Sequence, residues 1–213
     1  MVREVAPKYL RSSPEKVAFP KMTYAQFLRT IPDDVHAEWV DGAVVLMTPV
    51  SLKHQELAGF LLNVIGVLVN ARKLGKVLFE PFQMKTGREL PGRAPDILFL
   101  SNQNLRRLKD KYLDGPADLV IEIVSPDSRS RDRKEKFKEY QLGGVREYWI
   151  LDPERKSAEF YQLDKHGKFQ SLAPSKEGVI QSLIVPGLWV EERWFWQDPH
   201  PPVLSILRKW NVI

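Results

Sequence analysis

Leu119 to Val124 is an apolar run rich in Val and Ile, interrupted by one acid, Glu122. Such a run predicts a short strand buried on both faces of a sheet. It stops at Ser125-Pro126. After a polar linker, Asp132 to Leu142 reads as a basic helix closed by Gly143-Gly144, which supplies a left-handed cap. A second apolar strand, Glu147 to Leu151, follows at once. Strand, helix and strand in that order predict a crossover unit with the two strands parallel in one sheet. On an ideal helix Asp132, Lys136 and Tyr140 stand at i, i+4 and i+8, so they share a face that looks back to the end of the first strand.

The remaining chain shows weaker patterns around this unit. Residues 1–22 carry prolines and little periodicity and read as an N-terminal arm. Thr23, with Gln26 at the capping-box position, opens a helix carrying Phe27 and Leu28 and ended by Pro32. His36 to Pro49 reads as a hairpin turning at Asp41-Gly42, with Glu38 in its first strand. From Ser51 to Lys73 the apolar positions Leu57, Leu61, Ile65, Leu68 and Val69 predict a long core helix, capped by Ser51 and stopped by Gly75. Lys76 to Thr86 is a strand candidate. In Ala94-Pro95-Asp96-Ile97-Leu98-Phe99-Leu100 the proline cannot donate to a central ladder, so Asp96 belongs at the beginning of a buried strand. Ser157 to Leu163 and Lys168 to Leu172 flank a second hairpin turn. Residues 23–190 make one domain, and residues 191–213 an aromatic extension whose tryptophans close the core or face a partner.

Composition narrows the classes of function. There is no Cys among the 213 residues, which excludes disulfides and thiolate metal sites and fits a cytoplasmic protein. No signal-peptide core is visible, and no stretch reads as the roughly eighteen apolar residues of a membrane span, so a membrane location is not expected. The formal charge of +5 permits an anionic partner without naming one. Its distribution is more informative, because Arg129, Arg131, Arg133, Lys134, Lys136 and Lys138 crowd beside the crossover unit. Asp132, Glu135 and Glu139 offer local partners, so a solvated face is the plain alternative.

Asp96 and Glu122 in apolar strands, with a lysine on the following helix, suit a divalent metal. Carboxylates are hard ligands for Mg²⁺, and an ammonium orients water and stabilises charge on a phosphorus centre. The plain alternative is that Asp96 caps a turn while Glu122 and Lys136 form a buried ion pair. Phosphate loops, a dinucleotide fingerprint, a nucleophile elbow and a zinc-protease motif are all missing, and the four histidines are scattered.

The segments EWVDG, TPVSLKHQ, APDILFL, LVIEIVSPDSRSRDRKEKFKEY and GGVREYWILDP together resemble the Uma family, whose members are restriction-endonuclease-like. The resemblance runs from about Thr23 to Leu188 and implies an α/β (mixed α+β) nuclease core of the PD-(D/E)xK kind, a mixed central sheet flanked by helices with added hairpins. It also implies Mg²⁺ or Mn²⁺ held by Asp96, Glu122 and the carbonyl of Ile123. Val124 stands where the motif usually has Lys, so Lys136, or Lys134 after it, is the replacement, and Glu38 resembles an acid that assists the metal. Asp132 positions the lysine or caps the helix. His54 near the start of the long helix and Tyr140 are supporting candidates, with a capping or surface role as the plain reading of His54.

The expected function is a metal-dependent DNA endonuclease, with Arg129, Arg131, Arg133 and Lys134 meeting phosphates. The alternatives are a nuclease fold that has lost catalysis and serves as a nucleic-acid or protein adaptor, and a structural homodimer.

Overall fold

The computed structural model describes residues 19–32, 35–126 and 128–213. Most of the expected N-terminal arm, residues 1–18, lies outside them.

The first described helix, α1 (Tyr24–Thr30), starts at a complete capping box, with Thr23 and Gln26 satisfying each other's backbone N–H groups. β1 (Ala37–Val40) and β2 (Ala43–Leu46) form the expected hairpin. Asp41 and Gly42 both take positive φ at its turn, 49° and 86°. This is the geometry that matches the right-handed twist of the flanking strands. α2 (Leu52–Ala71) follows, capped by Ser51. The expected strand from Lys76 to Thr86 is two strands. β3 (Gly75–Phe79) and β4 (Gln83–Lys85) belong to different sheets, because Glu80-Pro81-Phe82 turns the chain between them and Pro81 has no N–H for a ladder.

β5 (Gly92–Arg93), β6 (Ile97–Ser101), β7 (Tyr112–Asp114) and β8 (Leu119–Ile123) come next. After β8 the chain makes wide π turns over Arg131–Lys136 and continues as α3 (Phe137–Gly143). Gly144 caps α3 with φ 86°. β9 (Glu147–Asp152) and β10 (Ser157–Leu163) lead to β11 (Phe169–Ser171), β12 (Val179–Gln181), β13 (Trp189–Glu191) and α4 (Val203–Lys209).

The central sheet has six strands in the order β11-β10-β9-β8-β6-β3. β8 and β9 pair in parallel and the other neighbours are antiparallel, so the sheet is mixed and the crossover unit is present. Alternate residues of its strands enter opposite cores, as the period of two requires. Ile97, Phe99, Leu119, Ile121, Ile123, Trp149 and Leu151 face α2 and α4. Leu98, Leu100, Val120, Val124, Tyr148 and Ile150 face α3 and a second sheet, ordered β2-β1-β5-β4-β7. Each fully buried Leu, Ile or Val contributes about 1.5–3 kcal/mol relative to exposure.

Contrary to the expectation that no stretch reaches membrane-span length, α2 does so by length and composition. Eight of its residues are buried, in the core that α2 shares with the central sheet and α4. In the last quarter, Trp194 and Trp210 are buried in the same core as α2, with Trp189 and Trp196 packed against it.

Candidate active-site cleft

β8 must keep Glu122 on the face that α3 covers, because Val120 and Val124 on either side of it enter the core on that face. Glu122 is 3% exposed. Its two oxygens are both engaged: Lys136 Nζ donates to Oε2 at 2.8 Å and the Tyr140 hydroxyl to Oε1 at 2.7 Å. The predicted helix face therefore forms, and Lys136 and Tyr140 hold one carboxylate between them. Asp132 is on it too, with Oδ1 3.6 Å from Lys136 Nζ. That oxygen is buried and accepts no hydrogen bond from the described residues. Tyr148 donates to the Asp132 carbonyl at 3.1 Å, which ties the wide turns to β9.

Glu38 reaches the same ammonium from β1, with Oε1 3.3 Å from Lys136 Nζ. Its other oxygen accepts from Arg93 at 2.8 Å. Arg93 is 2% exposed and turns its remaining donors to Glu139, forming a fork with bonds of 2.8 and 2.7 Å. Burial alone would raise the Glu38 carboxyl, but Lys136 and Arg93 outweigh it and hold the group at about 2. Glu38 thus lies behind Lys136, bound by two cations. Glu38, the acid expected to assist a metal, meets Lys136 with one oxygen and Arg93 with the other.

Burial pushes Glu122 upward while Lys136 pulls the other way. Burial would lower Lys136, but the facing carboxylates Glu122, Glu38 and Asp132 raise it, so it stays an ammonium. Tyr140 is raised well above a free phenol, first by burial, and keeps the proton it donates to Glu122.

Asp96 sits immediately before β6, as the proline predicts. Its Oδ2 accepts from the Ile123 N–H at 2.5 Å, which fixes it against the end of β8. Its Oδ1 lies 3.3 Å from His54 Nε2. His54 is buried on the first turn of α2 with Nδ1 unpartnered among the described residues. Burial would lower this imidazole, but Asp96 raises it. A second histidine, His36, lies 3.1 Å from Glu80.

These groups surround one cleft of about 260 Å³, lined by Asp96, Glu122, Ile123, Lys136, Asp132, Arg131 and His54, with His36 and Glu80 at another side. Among the described residues no three His, Asp or Glu side chains form a ready-made metal cage. The donors nevertheless suit Mg²⁺ or Mn²⁺. Asp96 lies immediately before β6, and Glu122 and Ile123 lie on its partner β8; carboxylate and carbonyl oxygens are the hard ligands such ions take. A carboxylate oxygen that accepts one hydrogen bond keeps a lone pair, and Asp132 adds a buried oxygen with no hydrogen-bond donor.

The predicted phosphate-binding residues separate. Arg129 is bound to Asp152 at 2.9 Å and Glu154 at 3.3 Å, and Arg133 to Glu159 at 2.5 Å and Asp152 at 3.5 Å. Arg131 lines the cleft, and its Nε finds no partner among the described residues. Lys134 is exposed and does not line the cleft, which leaves Lys136 as the lysine at Glu122. Sequence reasoning missed Arg93, Glu139, Glu80 and His36. A cation immediately before Ala94-Pro95-Asp96 was the available signal for Arg93.

Comparison with known proteins agrees with this architecture. A family model described as Uma2, "Putative restriction endonuclease", matches residues 24–193. A crystal structure from Anabaena variabilis ATCC 29413, described as a "putative nuclease belonging to DUF820", superimposes with a TM-score of 0.67 at 16% identity, covering 82% of this chain and 97% of that one. No curated protein matches the chain. The match over most of the chain, on a mixed α/β core like that of the Anabaena structure, makes this protein a member of the Uma2 family of restriction-endonuclease-like proteins.

Proposed function

We propose that the chain is a metal-dependent endonuclease that hydrolyses DNA phosphodiester bonds. The observation that carries the reading is Lys136 at 2.8 Å from Glu122, in the cleft that Asp96 also lines. The lysine missing at position 124 returns from the helix covering that face of the sheet, since Val124 and Tyr140 share one core with Glu122 between them.

Asp96, Glu122 and the Ile123 carbonyl are the residues that would hold Mg²⁺ or Mn²⁺, with Asp132 beside them. Bound there, the ion supplies Lewis acidity at the phosphate and a more acidic water. The protein's own groups do the rest. Lys136 presents a fixed positive charge to the oxygens of the scissile phosphate as charge builds on them, and offers a hydrogen bond to the attacking water. Glu38, held by Arg93, positions Lys136 from behind. Tyr140 keeps Glu122 in one orientation. Arg131 is the arginine placed to meet a phosphate entering the cleft. His54, with Nε2 3.3 Å from Asp96 Oδ1, steadies that carboxylate at the cleft.

A binding module without catalysis is favoured by one observation, the engagement of both Glu122 oxygens by Lys136 and Tyr140. Nicking of supercoiled plasmid with Mg²⁺ or Mn²⁺, lost in Asp96→Asn while the variant stays folded, supports the enzyme. Failure to cut plasmid or single-stranded DNA with either ion favours the binding module.

A further inference from the structure

A second hollow, of about 420 Å³, is lined by chain neighbours of residues that line the cleft. The first turn of α2 gives His54 to the cleft and Lys53 to the hollow, and the turn after β9 gives Glu154 to the cleft and Lys156 to the hollow. The far wall comes from Trp196 to His200, beyond the stretch that the family model matches.

The lining has two chemistries. One side is aromatic and held in place. Trp196 is half-buried and meets Phe195 edge-on at 5.6 Å. His200 stacks on Phe60 at 4.7 Å, with Nδ1 3.0 Å from the Trp194 carbonyl. The rim is polar: Lys53 and Lys156 are exposed, and among the described residues neither pairs with a carboxylate, while Gln197 and Asp198 offer donors and acceptors. Glu56 and Asp198 balance the two lysines, so charge alone gives a free phosphate little reason to stay. The ligand must also bring a flat apolar surface.

We propose that this hollow is a subsite for one unpaired nucleotide of the substrate strand, with its base against Trp196 and His200 and its phosphate toward Lys53 and Lys156. The proposal rests on the nuclease reading and names its substrate class, DNA that is single-stranded beside the cut. A paired base is stacked inside the duplex and cannot enter such a hollow without being extruded. An aromatic platform accepts any base, because each has a π face, so the subsite selects strandedness and not sequence.

Anisotropy of a short fluorescein-labelled single strand and of its duplex, measured without metal, tests this. The wild type binds the single strand more tightly. Trp196→Ala weakens single-strand binding by about tenfold more than duplex binding, the loss of one stacked base. Trp196 also packs on the core, so Lys53→Gln/Lys156→Gln, at exposed positions, provides a second variant with the same expected direction. Single-strand binding unchanged in both variants, or no single-strand binding by the wild type, overturns the subsite. A protein that nicks plasmid while both variants bind like wild type keeps the nuclease and loses the subsite. One that binds single strands through Trp196 and never cuts keeps the subsite and loses the nuclease.

Discussion

Lys136 Nζ and Glu122 Oε2 meet at 2.8 Å across fourteen positions of sequence, one on the wide turns leading into α3 and the other near the C-terminal end of β8. Both are buried, so each is the main reason the other remains there. Replacing one partner of a buried pair leaves a charge unpaired, which costs about 3–5 kcal/mol. Lys136→Met leaves Glu122, Glu38 and Asp132 facing one another without their shared cation, and urea unfolding should show a loss of that size. Adding Glu122→Gln should restore part of it. A double variant no more stable than Lys136→Met would show that the pair is not coupled.

Arg93 holds Glu38 and Glu139 at once, and only a planar fork satisfies both geometries. Arg93→Lys keeps the charge but cannot make all three bonds, and should cost about 1–3 kcal/mol by leaving buried acceptors short of donors. Because Glu38 steadies Lys136, cleavage by this variant should fall mainly in kcat, with KM little changed. Equal stability and kcat in the wild type and the variant would remove Arg93 from the positioning chain.

Asp118 gives the acid side of the stability profile. Burial alone would raise its carboxyl, but hydrogen bonds from Asn104, the Ser101 N–H and Arg146 hold it below its ordinary 3.8. A depressed folded value means stability that is fully present above the unfolded value and lost as pH falls through the folded one. In Asp118→Asn the slope of unfolding free energy against pH should flatten below about pH 4. A slope identical to the wild type would contradict this assignment.

Gly143 and Gly144 end α3 for different reasons. Gly144 takes φ 86°, where a side chain costs about 1–2 kcal/mol. A Cβ on Gly143 would stand 2.5 Å from the Thr86 Cβ, which is not a flexible end. Thermal melting should therefore rank Gly143→Ala as no less harmful than Gly144→Ala. The reverse order would mean that β4 and its neighbours yield easily beside the helix.

What could be read from the sequence was carried by nearby residues. The Thr23–Gln26 box, the Asp41-Gly42 turn, the Ser51 cap and the Gly144 cap are each settled within a few positions. The Lys136–Tyr140 face was legible because it needs only helical spacing, and the wide turns before it did not displace the pair from Glu122. Arg93 with Glu38 and Glu139 was not, because those partners stand 55 and 46 positions away and a cation before Ala94-Pro95-Asp96 does not by itself name them. The same holds for the basic run. Arg129 and Arg133 read as free cations until β9 and β10 bring Asp152 and Glu159 beside them. The break of Lys76–Thr86 into two sheets depended on a turn at Pro81 that the apolar pattern runs straight through.

In the proposed reaction Lys136 takes the role of the lysine missing at position 124. The most direct test of that role is plasmid nicking with Mg²⁺ and Mn²⁺ by the wild type, Asp96→Asn and Glu38→Gln/Lys136→Met, the last removing one buried acid together with the cation so that folding survives. Cleavage by the wild type that falls by about a hundredfold or more in both variants, with folding verified by circular dichroism, is the predicted result. A folded Glu38→Gln/Lys136→Met protein that cuts as fast as the wild type would contradict it.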